Sequence, residues 1–158
     1  MYILEAISLY EVTEVPQAEN IIERVLPRLA HNNPAVILSA VKVVLKSIDV
    51  LPSGANKKSV VSKLAAPLVS LLNCEAELQY VALRNINFVL QKQPTIFENN
   101  VKVFFCKYND PLYVKLEKID ILVKVAEDRN AESVLNELHD YTNDMDMDLV
   151  TAAVKAIG

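Results

Sequence analysis

The feature that most constrains this chain is a phrase it writes twice. Residues 25–44 read VLPRLAHNNPAVILSAVKVV, and residues 64–86 read LAAPLVSLLNCEAELQYVALRNI. Each copy has a proline in an apolar first phrase, a polar break, and an alanine-centred apolar second phrase. Aligned on the second phrase, SAVKVV (39–44), VALRNI (81–86) and AAVKAI (152–157) superpose, with LEKIDI (116–121) a looser fourth. The anchors Ala40, Ala82 and Ala153 lie 42 and 71 residues apart. The second interval is close to two repeats of about 36, the period of stacked helical hairpins. No single hairpin buries both of its apolar faces, so stacking copies is how such a sequence makes a core.

Within the phrases the period is helical. In DPLYVKLEKIDILVKVA (110–126), Leu112, Leu116, Ile119, Val123 and Ala126 fall on one helix face. Val114, Ile121, Leu122 and Val125 form a second apolar stripe, leaving a polar strip of Tyr113, Glu117, Asp120 and Lys124. A helix so nearly apolar all round must be covered on two sides. Asn33-Pro34 and Asp110-Pro111 each place a capping side chain before a proline at the first helical position, and Asp146 or Asp148 is placed to cap the last helix. Pro52-Ser53-Gly54 is a break, and Pro94 ends the helix before it. Pro27 and Pro67 predict a bend in the first helix of successive pairs.

These signals predict helices at about 17–28, 34–50, 57–72, 76–92, 96–107, 111–126, 130–142 and 147–157, with 2–11 as an incoming one. The expected fold is all-α: an α-solenoid of antiparallel helix pairs, HEAT- or armadillo-like, coiled as a right-handed superhelix. Residues 1–158 form one segment of about four repeats. The apolar ends YILEAISLY and AAVKAIG lack the polar outer face of terminal repeats. The expectation is a piece of a longer solenoid, with Met1 an added start residue, that self-associates through its ends.

Composition removes most chemistry. The chain has only two glycines, Gly54 and Gly158, so it has nowhere to build a phosphate-cradling loop, nucleophile elbow or dinucleotide fingerprint. No run approaches the roughly 18 apolar residues of a membrane span, and MYILEAISLYE has neither a basic stretch nor a cleavage site of a secretory signal. Cys74 and Cys106 make no disulfide framework or zinc set and read as two buried thiols in a reducing cytosol. The net charge of −4 argues against general nucleic-acid binding. That charge is concentrated: residues 126–148 carry eight of the chain's 20 acids and one of its 16 bases.

His139-Asp140 near Glu137 is the one cluster suggestive of a metal, but adjacent helix residues point about 100° apart and do not converge on an ion. His31 reads as a helix C-terminal histidine favoured by the dipole. No serine or cysteine has a base at a recognisable spacing, so no catalytic residue, cofactor or metal is expected. Two features suit binding. Lys42, Arg84 and Lys155 share a register in three repeats, with Lys118 near it in the fourth, a basic ladder able to hold an acidic partner. The plainer reading is a solvated edge whose long stems cover apolar neighbours. Tyr113, on the same polar strip, joins the ladder as a contact candidate. In YTNDMDMDLV (141–150), Met145 and Met147 sit in an acidic loop and suit an adaptable contact, unless one packs beneath the loop.

QYVALRNINFVLQKQP (79–94) and VKVFFCKYNDPLYVKLEKIDILVKVAED (101–128) resemble the trunk of beta-adaptin, the large beta subunit of clathrin adaptor complexes. SAVKVVLKSIDVLP (39–52), LAAPLVSLL (64–72) and DLVTAAVKAIG (148–158) fit the same trunk in order. KYNDPLYVKLEKIDIL is the most specific motif and is more similar to the trans-Golgi and plasma-membrane adaptors than to their endosomal relatives. The chain departs from the pattern around residues 10–20 and in 126–135, where EDRNAE is more acidic, so the particular complex stays open. The resemblance implies a non-enzymatic scaffold for vesicle-mediated intracellular protein transport, cytoplasmic and peripheral on coated vesicles of the trans-Golgi, endosome or plasma membrane. Its implied partners are the adaptor medium, small and second large subunits, with the membrane touched only through the coat. The clathrin-binding hinge and ear of the family lie beyond the trunk. The resemblance also places Met145 and Met147 near the medium subunit's tyrosine-signal pocket. A coatomer large subunit shares the architecture. A cargo-binding solenoid holding an extended peptide through Asn85 or Asn87 is a different class, and a solenoid enzyme is disfavoured by the missing acid–base constellation.

Overall fold

The computed structural model describes residues 2–52, 54–92 and 94–158. Met1 and the Ser53 position of the expected Pro52–Gly54 break lie outside the described residues. The described residues contain no strand, and the chain divides into two compact units, Met1–Leu71 and Leu72–Gly158.

The first unit holds α1 (Tyr2–Leu9), α2 (Val15–Val25), α3 (Pro34–Ile48) and α4 (Ala55–Leu71). Its centre is α3, which packs against the other three helices. Ala40, Val41, Val44 and Ile48 are wholly buried, and the small Ala40 side chain lets a neighbouring helix come close. The start of α3 is as the sequence predicts: Asn33 accepts the Ala35 N–H at 2.9 Å, and Pro34 fills a position whose N–H would have no partner. His31 closes the preceding turn, its Nδ1 accepting the Asn33 N–H at 3.0 Å. Lys46 donates from Nζ to the Ser8 carbonyl at 2.9 Å, satisfying the C-terminal end of α1.

The two prolines act differently from the expected pair of bends. Pro27 ends α2, which passes into a 3₁₀ segment, Leu26–Ala30, because its missing N–H removes an α-helical bond. Pro67 lies within α4, which continues past it.

The second unit holds α5 (Ala76–Lys92), a 3₁₀ segment (Pro94–Phe104), α6 (Leu112–Val125), α7 (Ala131–Tyr141) and α8 (Met147–Ile157). Here α6 is central, packed on α5, the 3₁₀ segment and α8. The sequence predicts an α-helix at 96–107. The chain instead winds as 3₁₀, with Asn100 outside helical dihedrals at φ −118°, ψ 22°. Asparagine side chains compete for backbone hydrogen bonds and weaken a helix there. The tighter winding still buries Phe97 and Phe104 edge to face, their ring centroids 5.5 Å apart.

The facing of α6 also corrects the sequence reading. Val114, Ile121, Leu122 and Val125, the flanking stripe, are all buried, together with Ile119 of the first stripe, whereas Val123 is 45% exposed and Ala126 is exposed. Both stripes are apolar, and the packing of α5, the 3₁₀ segment and α8 leaves only the Val123 and Ala126 end of the first in solvent. The start of α6 differs too: Pro111 is its N-cap residue, and Asp110 caps nothing in the helix. Asp146 does cap α8, accepting the Asp148 and Leu149 N–H groups.

Candidate protein-interaction site

Lys118 is the largest departure from the basic ladder. It lies four residues after Val114 and three before Ile121, in the middle of the core stripe, and is 0% exposed. Its ammonium meets the Asp110 carboxylate at 2.5 Å and donates to the Phe105 carbonyl at 3.4 Å. The same Asp110 oxygen accepts the Lys107 N–H at 2.8 Å. Lys118 is thus the internal clamp of the 105–111 loop and is withdrawn from the ladder, because an apolar surrounding tolerates an ammonium only when it is paired and hydrogen-bonded.

A second clamp holds the same loop from the other side. The Tyr141 hydroxyl, at the end of α7, accepts the Cys106 N–H at 2.7 Å and donates to Glu137 at 2.7 Å. Burial and the adjoining Glu137 carboxylate push the Tyr141 hydroxyl well above the usual phenol range. Burial also raises the Cys106 thiol to about 11. Cys74 and Cys106 are both free and half-buried, less enclosed than the sequence suggests.

The remaining ladder members reach solvent. Lys42 and Lys155 are exposed, and Arg84 is exposed while lying 3.8 Å from Glu117. Tyr113 is 44% exposed and packs edge-on against Tyr80, ring centroids 5.5 Å apart. Arg84 and Tyr113 flank a polar seam that joins α5 to α6. At its centre, Asn87 Nδ2 donates to Asp120 at 2.7 Å and to Glu117 at 3.1 Å, while Oδ1 accepts from Lys124 at 2.6 Å. Lys124 also meets Asp120 at 2.6 Å. Burial works against the ionised form of Asp120, but the Lys124 ammonium and the Asn87 amide hold its carboxyl below the ordinary range. Asn85 Nδ2 bonds the Val81 carbonyl at 2.8 Å within its own helix. The asparagines proposed to grip an extended peptide are therefore occupied inside the fold.

The acidic turn between α7 and α8 presents the strongest surface feature. Met145 is 100% exposed and Met147, the first residue of α8, is 72% exposed, so neither packs beneath the turn. Asp144 Oδ1 accepts the Asp146 N–H at 3.0 Å, and Lys115 on α6 approaches Asp144 Oδ2 at 3.7 Å. The backbone N–H of Asp146, followed by Lys115, holds the Asp144 carboxyl below its usual range. Between this turn and the 105–111 loop lies an open cleft of about 750 Å³. Tyr108, 96% exposed on the KYND turn, stands on its rim. The sequence reading passed over Tyr108, although an aromatic between a lysine and an Asn-Asp-Pro turn is a signal for an exposed ring.

Among the described residues, no group of three His, Cys, Asp or Glu side chains is placed to hold a metal ion, and no helix is long and apolar enough to cross a membrane.

Comparison with known proteins places the chain in a family. The chain is 50% identical over 159 residues to the AP-1 complex subunit beta-1 of Homo sapiens, an alignment covering 100% of this chain and 17% of that protein. It is 46% identical over 158 residues to the AP-1 complex subunit beta of Dictyostelium discoideum, again 100% of this chain and 17% of the relative. To the AP-2 complex subunit beta of Schizosaccharomyces pombe it is 40% identical over 157 residues, 99% of this chain and 23% of the relative. The chain thus spans under a quarter of the length of these relatives. A family model described as the adaptin N terminal region matches residues 1–158, and with every residue inside that match the chain belongs to the adaptin family as part of its N-terminal region.

Proposed function

We propose that this chain is a non-enzymatic scaffold segment of a clathrin adaptor complex, packing against other adaptor subunits during vesicle-mediated intracellular protein transport. The observation that carries the reading is the 50% identity, over the whole of this chain and 17% of the relative, with a protein named as a subunit of the AP-1 complex. The chemistry of the surface supports it. Met145, Met147 and Val154 stand in water, as do the cations of Lys42 and Lys155. In this reading the partners are the medium, small and second large subunits, and the protein works in the cytoplasm, peripheral on coated vesicles. Contacts to those subunits fall to Lys42, Arg84, Lys155 and Tyr113, and to Met145 and Met147 against the medium subunit.

Calorimetric titration of the chain with the N-terminal half of an adaptor medium subunit tests the assembly, with 1:1 binding expected. A folded, helical chain that gives no heat of binding overturns it. In an assembled complex, Met147→Asp is expected to change the affinity for a tyrosine-signal peptide, because it places a charge in an apolar contact. An unchanged affinity removes Met147 from that contact.

A further inference from the structure

We propose that the groove between α2 and α4 docks an amphipathic helix of a partner protein, one whose apolar stripe is flanked by Lys or Arg on one side and by an acid on the other. The inference goes beyond the scaffold reading and does not depend on it.

The groove is made by two helix faces. α2 and α4 both pack on α3, and between them lies an open space of about 380 Å³. One wall is Glu19, Ile22, Glu23 and Leu26, at i, i+3, i+4 and i+7, with Leu26 at the start of the 3₁₀ segment. The other wall is Asn56, Ser59, Val60 and Lys63, at the same spacing on α4. Of the apolar lining, Ile22 and Leu51 are buried, while Leu26 and Val60 are still partly in solvent.

The walls select a helix. Because both are helical, most of their backbone groups are bonded internally and offer an extended chain little to pair with. A segment that has already satisfied its own backbone meets no such loss, and it lays anchors at i, i+3, i+4 and i+7 along an apolar groove.

The charges select its flanks. Glu19 and Glu23 are exposed and repel each other across one turn of α2. Among the described residues, neither carboxylate has an ion-pair or hydrogen-bond partner, and the Lys63 ammonium on the other wall has none either. The second unit differs, since Asp110, Asp120 and Asp144 each meet a lysine. Cations on the partner relieve the repulsion on the α2 wall, and an acid answers Lys63 on the α4 wall. With opposite signs on opposite walls, charge also fixes the direction in which the helix lies.

The test titrates the ¹⁵N-labelled 158-residue chain with a capped peptide, Ala-Ala-Glu-Leu-Lys-Ala-Ala-Leu-Lys-Glu-Leu-Lys-Ala-Glu, and follows amide chemical shifts. Its leucines share one helix face, with lysines on one flank and glutamates on the other. Shifts are expected to centre on residues 19–26 and 56–63. Glu19→Gln/Glu23→Gln keeps the shape of the wall, removes both charges, and is expected to weaken binding about fivefold. Val60→Ser is expected to weaken it about threefold through lost apolar contact. Glu11→Gln/Glu14→Gln, outside the groove, is expected to leave the affinity unchanged. An absence of shifts, shifts centred elsewhere, or an unchanged affinity in Glu19→Gln/Glu23→Gln overturns the proposal. Equal weakening by the two double variants also overturns it, since that reports charge attraction without a site. If the groove amides shift with protein concentration before any peptide is added, the occupant is a second copy of this chain and the proposal fails. Because only this chain and a synthetic helix are involved, failure here is distinct from failure to bind a medium subunit.

Discussion

At the scale of single residues, Lys118 shows what a buried charge does in a helical-repeat core. Alone among apolar neighbours it would be costly, but with Asp110 and the Phe105 carbonyl it becomes a cross-brace between α6 and the loop before it. Removing one partner strands the other. Lys118→Ala is expected to lower the unfolding free energy by about 3–5 kcal/mol, measured by urea denaturation. The double variant Asp110→Ala/Lys118→Met should recover much of that loss, because no uncompensated charge is left inside. A cost below about 1 kcal/mol for Lys118→Ala would show that the pair is solvated. The position of Lys118 on the core stripe was legible from its spacing to Val114 and Ile121. Its role was not, because aligning repeats gave it the register of Lys42 and Arg84, and its partner lies eight residues away in a segment read as a simple cap.

At the scale of elements, α5 and α6 are joined by two different surfaces. Leu83, Ile86 and Val89 on α5 and Ile121 and Leu122 on α6 are core residues; solvent reaches the polar seam of Asn87, Asp120 and Lys124. The seam has a defined pH response. The folded-state carboxyl of Asp120 lies below its ordinary value of 3.8, so ionisation stabilises the fold above that value and the contribution disappears as pH falls through the depressed one. Stability of wild type relative to Asp120→Asn is expected to be flat from pH 8 to 5 and to converge below about pH 4. A difference that changes between pH 7 and 5 would assign the seam to another titrating group. Element type was well marked in the sequence, since the 3.6-residue period runs through α3, α5 and α6 without a break. The 3₁₀ winding of Pro94–Phe104 was masked by the same period, because Phe97 and Phe104 fit a helix face in either winding.

At the scale of the molecule, the apolar surface left in water is the dominant property. On α1, Tyr2, Ile3 and Leu9 are largely exposed, and Val154 and Ile157 on α8 are about half exposed. Large apolar side chains left in water favour association, so the weight-average mass from light scattering is expected to rise with concentration. A monomer mass held constant over a tenfold range would show these faces to be too dispersed to pair. The all-α helical-repeat architecture followed from a phrase written twice, whereas the cleft did not. It depends on two loops far apart in sequence, and the hydroxyl-to-amide bond that ties one of them to the helix before the other leaves no periodic trace.

That bond has a kinetic consequence. The Cys106 amide belongs to a loop, yet its hydrogen is held by a tyrosine at the end of α7 and released only when loop and helix part. Its exchange with deuterated water therefore keeps the time of tertiary separation rather than of local fraying. One amide in an irregular segment becomes a clock for the opening of the whole 105–141 region.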